Sequence, residues 1–137
     1  MSMFSLKGKT DIVTGAGAGI GLAVAQGLAE AGANVAMWYH SNTKCTERAA
    51  EISEQVRNES TQCDWLHIIL TSSAAKAYQV EVTDVKAVEE AVNDVVKDFS
   101  GRLDVFIANA GVPWTQDPMV DEILTCLDRR ALQKSAE

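Results

Sequence analysis

Runs of apolar residues alternate along the chain with segments in which apolar residues recur at helical spacing. The runs predict four β-strands, and the spaced segments predict three α-helices. The predicted strands cover residues 10–15, 34–39, 77–82 and 103–108, and the predicted helices cover residues 19–31, 43–57 and 85–99. Strands that alternate with helices indicate parallel β-α-β units, so we expect an α/β fold with a doubly wound parallel sheet.

The same pattern predicts which residues are buried and which meet at the edge of the sheet. The first helix has a predicted buried face of Ile20, Val24, Leu28 and Ala31. The third helix has a broader one, formed by Val85, Val88, Ala91, Val92, Val95, Val96 and Phe99. The fourth strand is nearly all apolar, as is typical of a strand buried on both faces. The carboxyl ends of parallel strands share one edge. That edge is predicted to bring together Gly15, Tyr39, Asp84 and Asn109.

Two segments do not follow this pattern. Residues 56–75 make a far longer connection than usually joins a helix to a parallel strand, and they contain an apolar block. We interpret this insert as an extra edge strand, as a surface lid, or as a translated intron. Deleting residues 56–74 would restore an ordinary connection. The tail, residues 119–137, has spacing for one short amphipathic helix only.

Composition narrows the classes of function. The 137 residues are 47% hydrophobic, enough for one modest domain, and the net charge of −7 argues against nucleic-acid and membrane-surface partners. The sequence has no run of about 18 apolar residues and no secretory signal, so a cytoplasmic protein is expected. Three widely spaced cysteines, Cys45, Cys63 and Cys126, and the histidines His40 and His67 form no metal-binding pattern. We expect free thiols and no metal.

The glycine-rich stretch between the first strand and the first helix carries the strongest chemical signal. Residues 14–21 are Thr-Gly-Ala-Gly-Ala-Gly-Ile-Gly. Such a turn lets the backbone approach a phosphate, and the helix that follows offers N–H groups and a partial positive charge to the anion. We therefore expect a dinucleotide pyrophosphate here. Gly15 would permit the tight turn, and Gly21 would let the helix pack close to the strand.

Three motifs in this order resemble the short-chain dehydrogenase/reductase family. The turn has the spacing T-G-x-x-x-G-x-G, an N-A-G motif at residues 109–111 follows the fourth strand, and Val-Thr-Asp at residues 82–84 follows the third. Asp84 would correspond to the adenine-contacting Asp of the family. Residues 35–39 and 105–116 look like the fungal NADP-dependent mannitol dehydrogenases and L-xylulose reductases.

The resemblance implies a Rossmann-type doubly wound sheet. It also implies that residues 1–137 form a single NAD(P)-binding domain that is incomplete in its C-terminal half, because family members continue well beyond this length. The cofactor-binding residues that it implies are Gly15, Gly17, Gly19, Ile20, Gly21, Tyr39, His40, Ser41, Asn42, Asp84, Val85, Asn109, Ala110 and Gly111.

The end of the second strand bears on the choice of cofactor. NAD-preferring relatives carry an acid there, which binds the ribose hydroxyls and repels a 2′-phosphate. Residues 38–44 contain no Asp or Glu, but they offer hydroxyls, an amide, a histidine and a lysine. This favours NADP(H) over NAD(H). Ser41 and Thr43 are also suited to cap the following helix, and the two roles are compatible.

The catalytic signature of the family, Tyr-x-x-x-Lys, does not occur in this sequence. Four residues after Tyr39 and Tyr78 stand Thr43 and Val82. We therefore assign no catalytic residue. General acid–base catalysis contributes about 10²–10⁴-fold to the rate, and little of this is expected without a proton-donating Tyr and its supporting Lys.

Two functions from different classes follow from the resemblance. The first is an NADP(H)-dependent oxidoreductase that transfers hydride to or from a sugar or polyol, present here as a truncated chain without turnover. The second is a non-catalytic dinucleotide-binding fragment or pseudoenzyme. The implied partners are the dinucleotide and, in intact relatives, a small sugar or polyol, with neither nucleic acid nor membrane. A homo-oligomer is left open, because the helices through which relatives assemble are not recognised.

Overall fold

A computed structural model describes residues 5–59, 74–99 and 101–111 of the chain. Four strands and three helices alternate in this part. They are β1 (Thr10–Thr14), α1 (Gly19–Glu30), β2 (Asn34–Tyr39), α2 (Lys44–Glu59), β3 (Ala75–Gln79), α3 (Val85–Asp98) and β4 (Val105–Ile107).

The strands form one sheet in the order β3-β2-β1-β4, and every pairing is parallel. Thr10 lies opposite Asn34 at the start of the β1–β2 ladder, and Val35 lies opposite Ala75 at the start of the β2–β3 ladder. The chain reverses its direction of winding after β3, since β4 lies on the far side of β1. This confirms the predicted α/β doubly wound parallel sheet.

Apolar side chains cover both faces of the sheet. On one face Val13, Val35 and Met37 pack with small residues of α1 and with Cys45, Ala49 and Ile52 of the α2 region. On the other face Ile12, Ala36 and Trp38 pack against α3 through Ala91, Val95 and Phe99. Because neighbouring residues of a strand point to opposite faces, β1 and β2 each supply both halves of the core.

The buried face of α1 differs from the predicted one. Gly21, Ala25 and Ala29 are buried, whereas Ile20 is 77% exposed. Val24 and Leu28 are only half-buried. The small residues let the helix backbone lie close to the sheet, and this decides its rotation more strongly than the side-chain size at Ile20. On the predicted face of the third helix, Ala91, Val95 and Phe99 are buried, whereas Val88, Val92 and Val96 are half-buried. Val85 is 71% exposed because it lies at the first turn.

Two strands are shorter or shifted relative to the prediction. β3 covers residues 75–79 rather than 77–82, because its partner β2 ends at Tyr39, which lies opposite Gln79. β4 covers residues 105–107 rather than 103–108, because it pairs with β1 only from Asp11 to Val13. Within the described part of the chain β4 has no second neighbour. Its Phe106 is 46% exposed, so burial on both faces is not found there.

The long connection between α2 and β3 is only partly described. Residues 56–59 belong to α2, and Ala75 begins β3, so these positions of the predicted insert lie in regular elements. Ser53 Oγ accepts a hydrogen bond from Ala75 N at 2.9 Å, and Asn34 Oδ1 accepts one from Ala74 N at 3.1 Å, which fixes where β3 begins. Residues 60–73 of the insert and the predicted helix in the tail lie outside the described residues.

Candidate functional site

The carboxyl ends of the strands surround a groove of about 680 Å³. Contributions come from all four strand ends, as expected where the winding of a parallel sheet reverses. The groove is lined by Gly15, Trp38, Tyr39, His40, Ser41, Val80, Glu81, Val82, Thr83, Ala110 and Gly111. The predicted edge residues Gly15 and Tyr39 are therefore brought to one site.

The glycine-rich turn leaves no room for side chains at two of its positions. Gly15 has φ +66°, and a Cβ there would lie 3.0 Å from Ala110 Cα. A Cβ on Gly21 would lie 2.4 Å from Gly15 O and 2.5 Å from Asn109 Nδ2. Both predicted roles, the tight turn at Gly15 and the close packing at Gly21, are supported by this geometry.

α1 begins directly after the glycine-rich turn, of which Gly15 lines the groove, whereas Gly17, Gly19, Ile20 and Gly21 are not among the lining residues. Ala18, the residue before the helix, is extended and provides no side-chain cap, and the first turn carries no acidic residue. Four N–H groups at a helix start lack intrahelical acceptors, and together with the helix dipole they favour an anion. The turn of Gly17 and Gly19 thus ends at a place suited to a phosphate, and no acid of that turn competes for it.

Three hydrogen bonds join Thr14, at the end of β1, to the N-A-G motif. Thr14 Oγ1 accepts hydrogen bonds from Asn109 N at 2.9 Å and from Ala110 N at 2.8 Å. Asn109 Nδ2 donates to Thr14 O at 3.0 Å. The Asn109 side chain therefore supports the wall of the groove, while Ala110 and Gly111 line it.

At the end of β2, His40 and Ser41 line the groove, but Asn42 has a different role. Its Nδ2 donates to Gly17 O at 2.9 Å, and its Oδ1 accepts from Lys44 N at 3.3 Å. Asn42 thereby ties the glycine-rich turn to the beginning of α2. A Cβ on Gly17 would lie 3.0 Å from Asn42 Nδ2, so this contact also explains the glycine at position 17.

The structure places Asp84 at the beginning of α3. Its Oδ1 accepts a hydrogen bond from Lys86 N at 2.9 Å and a longer one from Ala87 N at 3.5 Å. Neither Asp84 nor Val85 is among the residues that line the groove. An Asp directly before a helical apolar pattern is a common N-cap, so the sequence carried a signal for this role.

Glu81 is the acid of the groove, and sequence reasoning missed it. Glu81 Oε1 accepts from Thr83 Oγ1 at 2.8 Å and from Thr83 N at 3.1 Å. Its Oε2 lies 3.0 Å from His40 Nε2. The side-chain and backbone hydrogen bonds from Thr83, and to a smaller extent His40, lower the pKa of Glu81, although desolvation opposes them. Glu81 meets His40 because of the register of β3 on β2, which local sequence patterns do not reveal.

Neither tyrosine of the described residues has the surroundings of a proton donor. Tyr78 donates from its hydroxyl to Asp98 Oδ2 at 2.7 Å, and Lys76 Nζ binds the same oxygen at 2.6 Å. Burial, followed by the hydrogen bond to Asp98, raises the pKa of Tyr78. Catalysis near neutral pH would need the opposite shift. Tyr39 lines the groove, but four residues later stands Thr43.

The described residues contain neither a cluster of metal ligands nor a membrane-spanning helix. No group of three or more His, Cys, Asp or Glu residues there is placed to hold a metal ion. No helix among those residues is both long enough and apolar enough to cross a membrane.

Comparison with known proteins identifies the family. The family model described as short chain dehydrogenase matches residues 9–125. L-xylulose reductase of Hypocrea jecorina is 49% identical over 121 residues, which are 88% of this chain and 37% of that protein. A probable NADP-dependent mannitol dehydrogenase of Yarrowia lipolytica is 44% identical over 121 residues, which are again 88% of this chain and 37% of that protein. The chain thus spans little more than a third of the length of these relatives.

Solved structures give the same result. The crystal structure of the NADPH-dependent 3-quinuclidinone reductase from Rhodotorula rubra superposes with a TM-score of 0.64 at 41% identity. The match covers 85% of this chain and 38% of that one. Together with the glycine-rich turn, the parallel sheet and the hydrogen bonds between Thr14 and the N-A-G motif, these matches show that the chain belongs to the short-chain dehydrogenase family.

Proposed function

We propose that this chain binds NADP(H) in the groove, as the nucleotide-binding part of an oxidoreductase of the short-chain type. The observation that carries the proposal is the approach of α1 to the glycine-rich turn. There a Cβ on Gly21 would lie 2.4 Å from Gly15 O, beside helix amides that have no side-chain cap. A pyrophosphate would bind at these amides, and the adenosine would extend toward the ends of β2 and β3.

The preference for NADP(H) over NAD(H) rests on the end of β2. Tyr39, His40 and Ser41 line the groove there, and none of them is an acid that would repel a 2′-phosphate. The imidazole and the hydroxyls can donate hydrogen bonds to phosphate oxygens. The names of a mannitol dehydrogenase relative and of the quinuclidinone reductase describe those proteins as NADP- or NADPH-dependent, which supports the same cofactor here.

The proposed substrate class is a sugar or polyol, and the proposed reaction is hydride transfer between the nicotinamide and a carbonyl or alcohol carbon. Support comes from relatives named L-xylulose reductase and mannitol dehydrogenase. The bound cofactor would supply the hydride. The described residues would bind and orient the nucleotide through Gly15, Gly21 and the wall formed by Ala110 and Gly111.

We further propose that residues 1–137 alone bind the nucleotide without turnover. The sequence contains no Tyr-x-x-x-Lys pair, and the hydroxyl of Tyr78 is held by Asp98 with a raised pKa. The alternative function, a non-catalytic dinucleotide-binding fragment or pseudoenzyme, is favoured by the same two observations. A ketose-dependent oxidation of NADPH by the purified chain would contradict both proposals of inactivity.

Two substitutions in one helix test the binding site. Gly21→Ala is expected to abolish NADPH binding, because its Cβ would meet Gly15 O. Gly27→Ala is the matched control, since a Cβ there has no atom within 4 Å, and it should bind NADPH like the unmodified chain. Affinities would be measured by isothermal titration calorimetry, and circular dichroism would verify the fold of both variants. Equal affinity in a folded Gly21→Ala variant would remove the pyrophosphate assignment.

A further inference from the structure

Resting on the proposed function, we propose that Glu81 determines how strongly this site selects a 2′-phosphorylated nucleotide. Glu81 Oε2 lies 3.0 Å from His40 Nε2, and the imidazole of His40 can donate a hydrogen bond to phosphate at the end of β2. A 2′-phosphate must therefore compete with the Glu81 carboxylate for the same Nε2–H. The selectivity for NADP(H) over NAD(H) is set by a pair of residues that follow two neighbouring strands, β2 and β3, and not by the end of β2 alone.

The two residues are fixed against each other by the ladder between β2 and β3. Val80 N donates to Tyr39 O at 2.8 Å, and Gln79 Nε2 donates to His40 O at 3.0 Å. These contacts hold the backbone on either side of the pair. The 3.0 Å approach of His40 Nε2 to Glu81 Oε2 is thus a consequence of strand register.

Hydrogen bonds from Thr83 also orient the Glu81 side chain. Thr83 donates to Oε1 from both its backbone N and its hydroxyl, so that oxygen is occupied. The other oxygen, Oε2, is the one that faces His40. Thr83 therefore acts as a positioning residue, because it leaves the carboxylate with one free oxygen and directs it across the groove.

The charges of the groove make the competition specific. Among the described residues that line it, Glu81 is the only acid and His40 the only group that can become a cation. A 2′-phosphate adds negative charge next to the Glu81 carboxylate and requires the donor that Glu81 already engages. A nucleotide with a free 2′-hydroxyl adds no such charge and does not need this donor, so its affinity depends much less on the Glu81 charge.

Glu81→Gln tests this idea, because glutamine keeps the length of the side chain and an oxygen for the Thr83 donors while it removes the charge. The probes are adenosine 2′,5′-bisphosphate and adenosine 5′-monophosphate, titrated calorimetrically into the full chain. We expect the affinity ratio of the bisphosphate to the monophosphate to rise about two- to fivefold, the range for one exposed ion pair. His40→Gln should lower the ratio. Adding Glu81→Gln to it should raise the ratio by a smaller factor than in the unmodified chain, because only the repulsion between the Glu81 carboxylate and the 2′-phosphate is then removed.

The matched control is Glu54→Gln, which makes the same change of net charge. Glu54 is exposed and lies ten residues beyond Lys44 in α2, roughly 15 Å along the helix. Its ratio should equal that of the unmodified chain. An unchanged ratio in Glu81→Gln, or the same rise with and without His40, would overturn the role of Glu81 while leaving nucleotide binding intact. Failure of the unmodified chain to bind either probe would overturn the proposed function itself, and this inference with it.

Discussion

Asp11 shows at the scale of one residue how burial changes chemistry in this fold. It is the second residue of β1, fully buried, between Val35 and Val105 of the neighbouring strands. Neither of its carboxylate oxygens has a hydrogen-bond partner within the described ranges. Desolvation, assisted by the charge of Asp104 and opposed by Lys9, raises the pKa of Asp11 to about 6. Ionisation of this carboxylate therefore costs more free energy in the folded chain than in the unfolded chain.

Stability should respond to pH through this group in a defined direction. Between the unfolded pKa of 3.8 and the folded value of about 6, the folded chain binds more protons at Asp11 than the unfolded chain does. The contribution of Asp11 to the free energy of unfolding is therefore full below pH 3.8 and is lost as the pH rises through 6.

Asp11→Asn removes this titration and isolates its effect. From pH 4 to pH 7 the free energy of unfolding of the variant, relative to the unmodified chain, should increase by roughly 2 kcal/mol. Urea unfolding at several pH values would measure the difference. The exposed Asp94→Asn is the control and should show no comparable trend. A constant difference between Asp11→Asn and the unmodified chain would contradict the raised pKa.

At the scale of the element, the starts of α1 and α3 differ in how their first amides are satisfied. Asp84 caps α3, whereas Ala18, the residue before α1, provides no side-chain cap. The contrast separates a helix start that is satisfied by the protein from one that is suited to an external anion. The role of Asp84 as an adenine contact remains a prediction, and its observed hydrogen bonds supply a competing structural role.

Substitutions at Asp84 distinguish these two roles. Asp84→Ala should lower the free energy of unfolding by about 1 kcal/mol, because two amides of α3 lose their acceptor. Asp84→Asn retains a capping oxygen and should keep most of the stability. If the residue acts only as a cap, the affinity for NADPH is the same in both variants. A selective loss of NADPH affinity in a stably folded Asp84→Asn variant would instead support the adenine contact.

At the scale of the whole molecule, the site exists only when several strand ends are assembled. Gly15 comes from the end of β1, His40 from the end of β2, Glu81 from beyond β3 and Ala110 from beyond β4. Hydrogen bonds such as Ala16 N to Trp38 O, at 3.0 Å, connect these ends. The rings of Trp38 and Phe106 add an edge-to-face contact between β2 and β4, with centroids 5.7 Å apart.

Nucleotide binding should therefore stabilise the sheet edge as a unit. At a free NADPH concentration of 100 times the dissociation constant, the free energy of unfolding should rise by about 2.7 kcal/mol. Hydrogen exchange should slow at residues 14–22, 38–41, 80–83 and 109–111. The part of α2 around Glu54 serves as an internal reference: exchange there should slow only through the global stabilisation, and less than at the groove. Protection confined to a single one of these segments would contradict a groove assembled from all four strand ends.

Much of the architecture follows from local patterns. Alternating apolar runs and helical spacing predicted all seven described elements, because strand and helix periods differ and each run is long enough to show its period. The glycine-rich turn predicted the pyrophosphate position, since glycine spacing directly reflects where the backbone needs room. Tyr39 and His40, which the resemblance implies as cofactor-binding residues, both line the groove, and their role in binding remains a prediction.

Other features depend on contacts between distant parts of the chain, and only the tertiary structure decided them. The rotation of α1 onto Gly21, Ala25 and Ala29 follows from how close the helix lies to the sheet. The pairing of Glu81 with His40 depends on the register of β3 on β2, where a shift of one residue would send each side chain to the opposite face. The sequence by itself therefore determined the elements, their order and the glycine-rich turn, because these arise from short-range spacing. Helix rotation, strand register and the charged pair of the groove required the assembled sheet, because they are set by long-range packing.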